Sequence, residues 1–264
     1  MKESNRKEEP IKAQLKAENQ EDLKPLLNKI YNEDCLKGMK RIPDKSIDMI
    51  LCDLPYGTTQ NKWDTIIPFE PLWEQYERII KNNGAIVLTA TQPFSSELVC
   101  SNKKLFKYEW IWQKSKITGV LNAKRQPVRQ HEQVLVFYKN QPEYNPQGLI
   151  PYNKEIKQGS SSKNYGKRKT SSYTQSHTGY PRSVLAIKSE GKSIHPTQKP
   201  TSLFEYLIKT YTTEEAVVLD NCMGSGTTAI ACLNTNRKYI GFELDNAYFE
   251  IAKLRTSEYQ EVSS

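Results

Sequence analysis

The sequence predicts an α/β protein built on an open, mostly parallel sheet with helices on both faces. Three observations carry that expectation. Short β-branched runs alternate with helix-like stretches along most of the chain. Several of these runs are continuously apolar rather than alternating, as in strands covered on both sides. Near the C-terminal end, "VVLDNCMGSGTTAI" (217–230) leads from a strand through a glycine turn into a helix.

In chain order, residues 1–24 mix Lys, Glu, Gln and Asn with almost no large apolar residues. Such a segment buries too little surface to offset its ordering entropy, so it reads as a flexible or weakly helical charged arm. Strands are expected at 46–53 ("SIDMILCD"), 84–90, 108–114, 132–139, 216–221 and 238–245. A helix is expected over "FEPLWEQYERIIKNNG" (69–84), where Leu72, Tyr76, Ile79 and Ile80 share a face and Gly84 closes the last turn. Helices are also expected over 201–212 and 246–259. Residues 140–193 break the rhythm. Here Lys154, Lys157, Lys163, Lys167, Arg168, Lys169, Arg182, Lys188 and Lys192 face only Glu143, Glu155 and Glu190. A stretch this long without periodicity is either disordered or a functional insertion. Tyr144, Tyr152, Tyr165, Tyr173 and Tyr180 recur among its cations, a combination suited to a nucleic-acid surface.

The bulk numbers narrow the partners. At 264 residues the chain fits one large domain or a domain with an insertion. A net charge of +8 favours a polyanionic partner. The five cysteines are scattered, without a CxxC pair or a nearby His, so no metal site is expected and the thiols read as buried and inert in a reducing compartment. No apolar run approaches the roughly 18 residues that span a bilayer, and the N-terminus lacks a signal-peptide core. A cytoplasmic protein without a membrane partner is expected.

The glycine turn and a second segment carry the chemistry. Gly224 and Gly226 permit a tight turn and close approach of a ligand to backbone N–H groups at the helix start. Glu243 ends the next strand, where a carboxylate can accept from both ribose hydroxyls. The same pattern fits a dinucleotide site, but only Ala229 to Ser264 follow it, room for one strand and one or two helices. The rest of the sheet must precede the turn, which implies a permuted order. The run Ile47 to Asp53 then delivers "DLPY" to the carboxyl edge beside the turn. Asp53 and the Leu54 carbonyl offer two acceptors spaced for an NH2 group, Pro55 stiffens the turn, and Tyr56 offers a stacking face for a planar base. An adenine amine is a poor nucleophile because its lone pair is delocalised; two acceptors gripping its hydrogens favour the pyramidal nitrogen that attacks a methyl group. Read alone, the tetrapeptide equally turns a corner.

Together these segments resemble the S-adenosylmethionine-dependent amino-methyltransferases of DNA, in the permuted arrangement called the β group. "DLPY" resembles the family's Asp-Pro-Pro-Tyr, "DNCMGSGTT" its cofactor loop, "HPTQKP" (195–200) the motif before it, and "NEDCLKGMKRIPDKSIDMILCDLPYG" (32–57) its entry segment. The likeness implies a Rossmann-like methyltransferase fold, circularly permuted, with an inserted target-recognition region. It divides the chain into the arm (1–24), a catalytic half (25–139), the DNA-binding insertion (140–193) and a cofactor-binding half (194–264). It implies that Asp53, Leu54, Pro55 and Tyr56 hold the flipped base. Asp34, Asp220, Gly224, Ser225, Gly226, Thr227, Thr228 and Glu243 would bind S-adenosylmethionine, with Lys199 near its methionine end. DNA contacts are expected from Arg125, Arg129, Lys163, Lys167, Arg168, Lys169 and Arg182. One departure is Leu54, which replaces the family's first proline and loosens the turn.

The expected activity is methylation of adenine N6 in duplex DNA after base flipping, since aspartate at the first position suits adenine and serine is commoner for cytosine. Cytosine-N4 methylation, methylation of a protein amide and a catalytically silent DNA-binding protein are the alternatives; an NAD-dependent oxidoreductase ranks behind them. A homodimer and a restriction endonuclease counterpart are compatible with the family.

Overall fold

The continuously apolar strands are so because both faces of their sheet are covered. In the computed structural model, which describes residues 21–57, 64–157, 172–191 and 198–263, the strands are β1 (Lys29–Asn32), β2 (Ile47–Asp53), β3 (Ile80–Ala90), β4 (Phe106–Thr118), β5 (Arg129–Phe137), β6 (Ile150–Lys157), β7 (Ser172–Thr178), β8 (Val184–Ala186), β9 (Val217–Asp220) and β10 (Lys238–Glu243). The helices are α1 (Cys35–Gly38), α2 (Phe69–Ile79), α3 (Phe94–Ser101), α4 (Thr201–Tyr211), α5 (Thr227–Asn234) and α6 (Asn246–Ser263). Eight strands form the main sheet in the order β1-β10-β9-β2-β3-β5-β4-β8. Successive β3 residues alternate between two cores: Ile86 and Leu88 pack with Leu72, Trp73 and Tyr76 of α2, whereas Ala85 and Val87 pack with Leu203, Phe204 and Leu207 of α4.

The sheet is parallel except that β5 runs antiparallel to both β3 and β4. Burial on both faces, which the sequence shows, does not distinguish strand direction. Because the neighbours β10, β9, β2 and β3 are parallel, their carboxyl ends lie at one edge.

The helix expected over 69–84 is shorter. It ends at Ile79, and Ile80 opens β3 by pairing with Ile47. The register then jumps to Met49 opposite Ala85, so Lys81–Gly84 form a bulge, tied by a 2.7 Å ion pair from Lys81 to Asp48. Gly84 is therefore no helix cap: a Cβ there would lie 2.8 Å from the Asp48 carbonyl oxygen. Asn-Asn-Gly reads like a helix stop, but the burial of Ile80 outweighs that signal.

Residues 140–193 are not uniform. Asn145–Arg182 is a separate compact unit in which β6 and β7 pair antiparallel, while β8 joins the main sheet beside β4. Lys163, Tyr165, Lys167, Arg168 and Lys169 lie outside the described residues, as do 195–197 of the "HPTQKP" segment and residues 1–20 of the expected arm. Leu23, placed in that arm, is buried in the core. No helix among the described residues is long and apolar enough to cross a membrane.

Candidate functional site

Three adjacent parallel strands each end in an acid. Asp220 closes β9, Glu243 closes β10 and Asp53 closes β2. All three line one cavity of about 560 Å³, together with Asp34, Leu54, Pro55, Tyr56, Lys199, Gly224, Ser225, Thr227 and Thr228. Thirteen residues were expected to hold the base or the cofactor; this cavity gathers all of them but Gly226.

The glycine turn explains the difference between its two glycines. Gly224, at φ +53°, would meet nothing within 4 Å if it carried a Cβ, so it faces open space. Gly226, at φ +87°, caps α5, and a Cβ there would lie 3.2 Å from the Cα of Ala252 on α6. Gly226 thus lets α5 and α6 approach closely. Glu243 braces the turn, its carboxylate accepting from the Gly224 amide at 2.7 Å and the Asp245 amide at 2.8 Å. Burial raises its pKa against those bonds. Each oxygen keeps a second lone pair, so two hydroxyls can still be accepted. Asp220 accepts from the Thr228 hydroxyl and from the Cys222 amide at 3.0 Å, and burial pushes its pKa up to about 6. Asp34 caps α1 by accepting from the Lys37 amide at 3.0 Å.

Beside this turn, Asp53 stands in a network that the sequence did not reveal. Its Oδ1 accepts from the Tyr56 hydroxyl at 2.6 Å and from the Thr89 hydroxyl, and its Oδ2 accepts from Lys199 Nζ at 2.6 Å. A carboxylate offers about four lone-pair sites. Three are used here and one remains. Thr89 arrives through the sheet, because Asp53 of β2 pairs with Thr89 of β3. Lys199 also lies 3.3 Å from Glu132 of β5, whose other oxygen meets Lys114 of β4 at 2.9 Å. Burial raises the Glu132 pKa, but the two lysines outweigh it and the net shift is downward. Burial likewise opposes charge on Lys199, and Asp53 with Glu132 reverses it, so Lys199 stays cationic. Lys199, expected near the cofactor's methionine end, lines the cavity with its ammonium held by these two carboxylates.

Tyr56 is half-buried rather than an exposed platform, with its ring centroid 5.2 Å from that of Phe94. Burial, reinforced by Asp53, holds its pKa well above the ordinary range, so it remains a donor. The cysteines are not all scattered. Asn221 Nδ2 lies 3.6 Å from Cys35 Sγ and 3.5 Å from Cys222 Sγ at the cavity wall. Neighbouring Cys222 holds the Cys35 pKa below the ordinary thiol value, against the effect of burial. No group of His, Cys, Asp and Glu among the described residues has an arrangement that could hold a metal ion.

Arg125 and Arg129 are exposed on the hairpin joining β4 to β5, and Arg182 is exposed at the end of the separate unit. In that unit Tyr152, Tyr173 and Tyr180 are also exposed, with Lys154 Nζ 5.1 Å from the Tyr152 ring centre.

Residues 47–254 match the N6/N4 family model described as DNA methylase. The chain is 30% identical over 246 residues to the type II methyltransferase M.BglII of Bacillus subtilis, covering 86% of this chain and 68% of that protein. It is 27% identical over 246 residues to the DNA adenine methyltransferase YhdJ of Escherichia coli strain K12, covering 86% and 81%. The crystal structure of the M1.HpyAVI–SAM complex superposes with a TM-score of 0.60 at 28% identity, covering 86% of this chain and 98% of that one. With a family model matched over most of its length and a relative at this identity, the chain belongs to the N6/N4 DNA methyltransferases.

Proposed function

We propose that the protein transfers a methyl group from S-adenosylmethionine to adenine N6 in duplex DNA, on a base flipped out of the helix. The single observation that carries this reading is the shared cavity, whose lining includes Asp53 and Tyr56 together with Glu243 and Gly224. The residues fit the cofactor: Glu243 keeps lone pairs for ribose hydroxyls, and Gly224 leaves space beside the turn. Asp34, Asp220, Ser225, Thr227 and Thr228 complete that wall. When bound, S-adenosylmethionine supplies an electrophilic sulfonium methyl.

The chain's own residues hold and activate the amine. The remaining lone pair of Asp53 accepts one N–H of the exocyclic amine, and the Leu54 carbonyl accepts the other, which keeps the nitrogen lone pair off the ring. Tyr56, backed by Phe94, presents a face to the base. Thr89 and Lys199 fix the Asp53 carboxylate, Glu132 fixes Lys199, and Lys114 fixes Glu132. Flipping costs a few kcal/mol, which stacking on an aromatic offsets by about 1 to 3 kcal/mol. Residues 25–139 act as the catalytic half and 194–264 as the cofactor half. Arg125, Arg129, Arg182 and the basic residues of 140–193 meet DNA. The cytosine-N4 reading survives on one observation: two acceptors at Asp53 and Leu54 hold any planar NH2.

Expressing the protein in cells without endogenous methylation, then sequencing single DNA molecules, tests the reading. N6-methyladenine in a defined motif is expected. N4-methylcytosine would move the assignment to the other base, and unmodified DNA would refute DNA methylation.

A further inference from the structure

The hairpin between β4 and β5 carries a feature that the fold does not use. Leu121 is 101% exposed at its tip, and Val120 and Ile117 are 58% and 49% exposed. The tip has a defined conformation: Asn122 N donates to the Gly119 carbonyl at 3.0 Å, Arg125 N to the Asn122 carbonyl at 2.8 Å, and Gly119 takes a left-handed φ of +80°. An apolar side chain presented by an ordered turn, without burial, is built for something outside the chain.

Register fixes where the hairpin stands. Thr89 and Ala90, the last residues of β3, pair with Val134 and Gln133. Residues Arg129–Glu132 therefore continue past the carboxyl edge, by about 13 Å at the strand rise. That edge holds Asp53, Tyr56 and the cavity. Around the apolar tip lie Lys116, Lys124, Arg125 and Arg129, and residues 115–129 contain no acid. Lys124, Arg125 and Arg129 are exposed and form no ion pair among the described residues. Cations around a projecting aliphatic side chain, beside a pocket for a single base, match a duplex: phosphates meet the cations and the base stack meets the leucine.

We propose that this hairpin is a wedge, and that Leu121 enters the base stack and fills the space left by the flipped nucleotide. The proposal rests on the base-flipping reading above. Leu121 leaves water only when the base leaves the stack, so its burial favours the flipped state. The cations on its flanks set the depth of entry.

The test uses the full chain and two forms of duplex carrying its target motif: one with 2-aminopurine in place of the target adenine to report flipping, and one with adenine there to report the single-turnover rate. Leu121→Ala is expected to lower the fluorescence rise and the single-turnover rate on a fully paired duplex roughly ten- to hundredfold, the equivalent of burying one leucine. Leu121→Met is expected to retain both. Placing the target opposite an abasic site lowers the cost of opening and is expected to rescue Leu121→Ala. Equal losses on paired and abasic duplexes, or a Leu121→Ala rate within twofold of wild type, would overturn the wedge. So would a change of oligomeric state in Leu121→Asp, which would make the tip a contact between copies. Loss of methylation in the wild-type protein itself would instead refute the underlying activity.

Discussion

Replacing Lys199 with methionine removes an ammonium held between two carboxylates while keeping most of the aliphatic stem. The lysine side chain is 5% exposed, with Asp53 at 2.6 Å and Glu132 at 3.3 Å. Removing one member of a buried ion pair typically costs 3 to 5 kcal/mol. Glu132 keeps Lys114, and Asp53 keeps the Tyr56 and Thr89 hydroxyls, so the lower end applies. That loss, about 3 kcal/mol, corresponds to a fall in Tm of roughly 6 to 12 °C for a domain of this size. The pH dependence has a definite sign. The raised Lys199 pKa gives stability that is present below the unfolded lysine value and lost as pH climbs through the folded one. The lowered Glu132 pKa gives stability that is present above its ordinary 4.5 and lost as pH falls through the folded value. The gap between wild type and variant is therefore widest from about pH 5 to about pH 10 and narrows on either side. Calorimetric melts across this range read it directly.

Catalysis provides the sharper test. A carboxylate displaced by about 1 Å loses on the order of 10² in rate, so single-turnover methylation by Lys199→Met should fall by about 10- to 100-fold. Affinity for S-adenosylmethionine by titration calorimetry should stay within about threefold. Because Lys199 acts through Asp53, the double variant with Asp53→Asn should be about as slow as Asp53→Asn alone. Additive losses would refute the coupling. A cofactor Kd raised more than about tenfold with kcat intact would return Lys199 to the methionine end of the cofactor.

Three further outcomes are expected. Tyr56→Ala should weaken capture of a flipped 2-aminopurine by roughly 5- to 150-fold through lost stacking, whereas Tyr56→Phe keeps the ring and should lower kcat roughly tenfold by removing a donor to a charged acceptor; cofactor loss in place of base loss would contradict both. Glu243→Gln turns one acceptor into a donor facing a backbone N–H, so calorimetry should show a Kd for S-adenosylmethionine raised roughly 5- to 150-fold, and a change below twofold would argue against Glu243. Asp220, raised to about 6 from 3.8, binds its proton more tightly folded than unfolded, so its contribution to stability declines as pH climbs through that interval. Urea melts of Asp220→Asn should show the variant gaining on wild type between pH about 4 and about 7, and parallel pH curves would exclude this account.

That Asp53, Tyr56, Gly224 and Glu243 meet in one cavity was legible because each lies in a contiguous segment with a recognisable spacing. Thr89, Glu132 and Lys114 were not. Thr89 looks like ordinary strand filling, and only the β2–β3 register brings it to Asp53. Glu132 and Lys114 come from a pair of strands whose antiparallel direction composition does not show. A charged residue opening an otherwise apolar run, as Glu132 does, was the available signal. Cys35 follows β1 and Cys222 follows β9, so their clustering depends on the β1-β10-β9 order and had no local trace. The packing of Gly226 against Ala252 was not legible, because a glycine needed for helix contact and one needed for a ligand leave the same letter in the sequence.

The contact between Gly226 and Ala252 ties the last helix to the chemistry. Arg255 of the same helix donates to the Ser225 carbonyl, so α6 acts as a latch behind the glycine turn. Anything that lifts this helix, whether a bulky side chain at 252 or a fused tag pulling on its end, would relax the loop from behind. The injury would surface as poor retention of the small molecule, leaving the grip on the duplex intact.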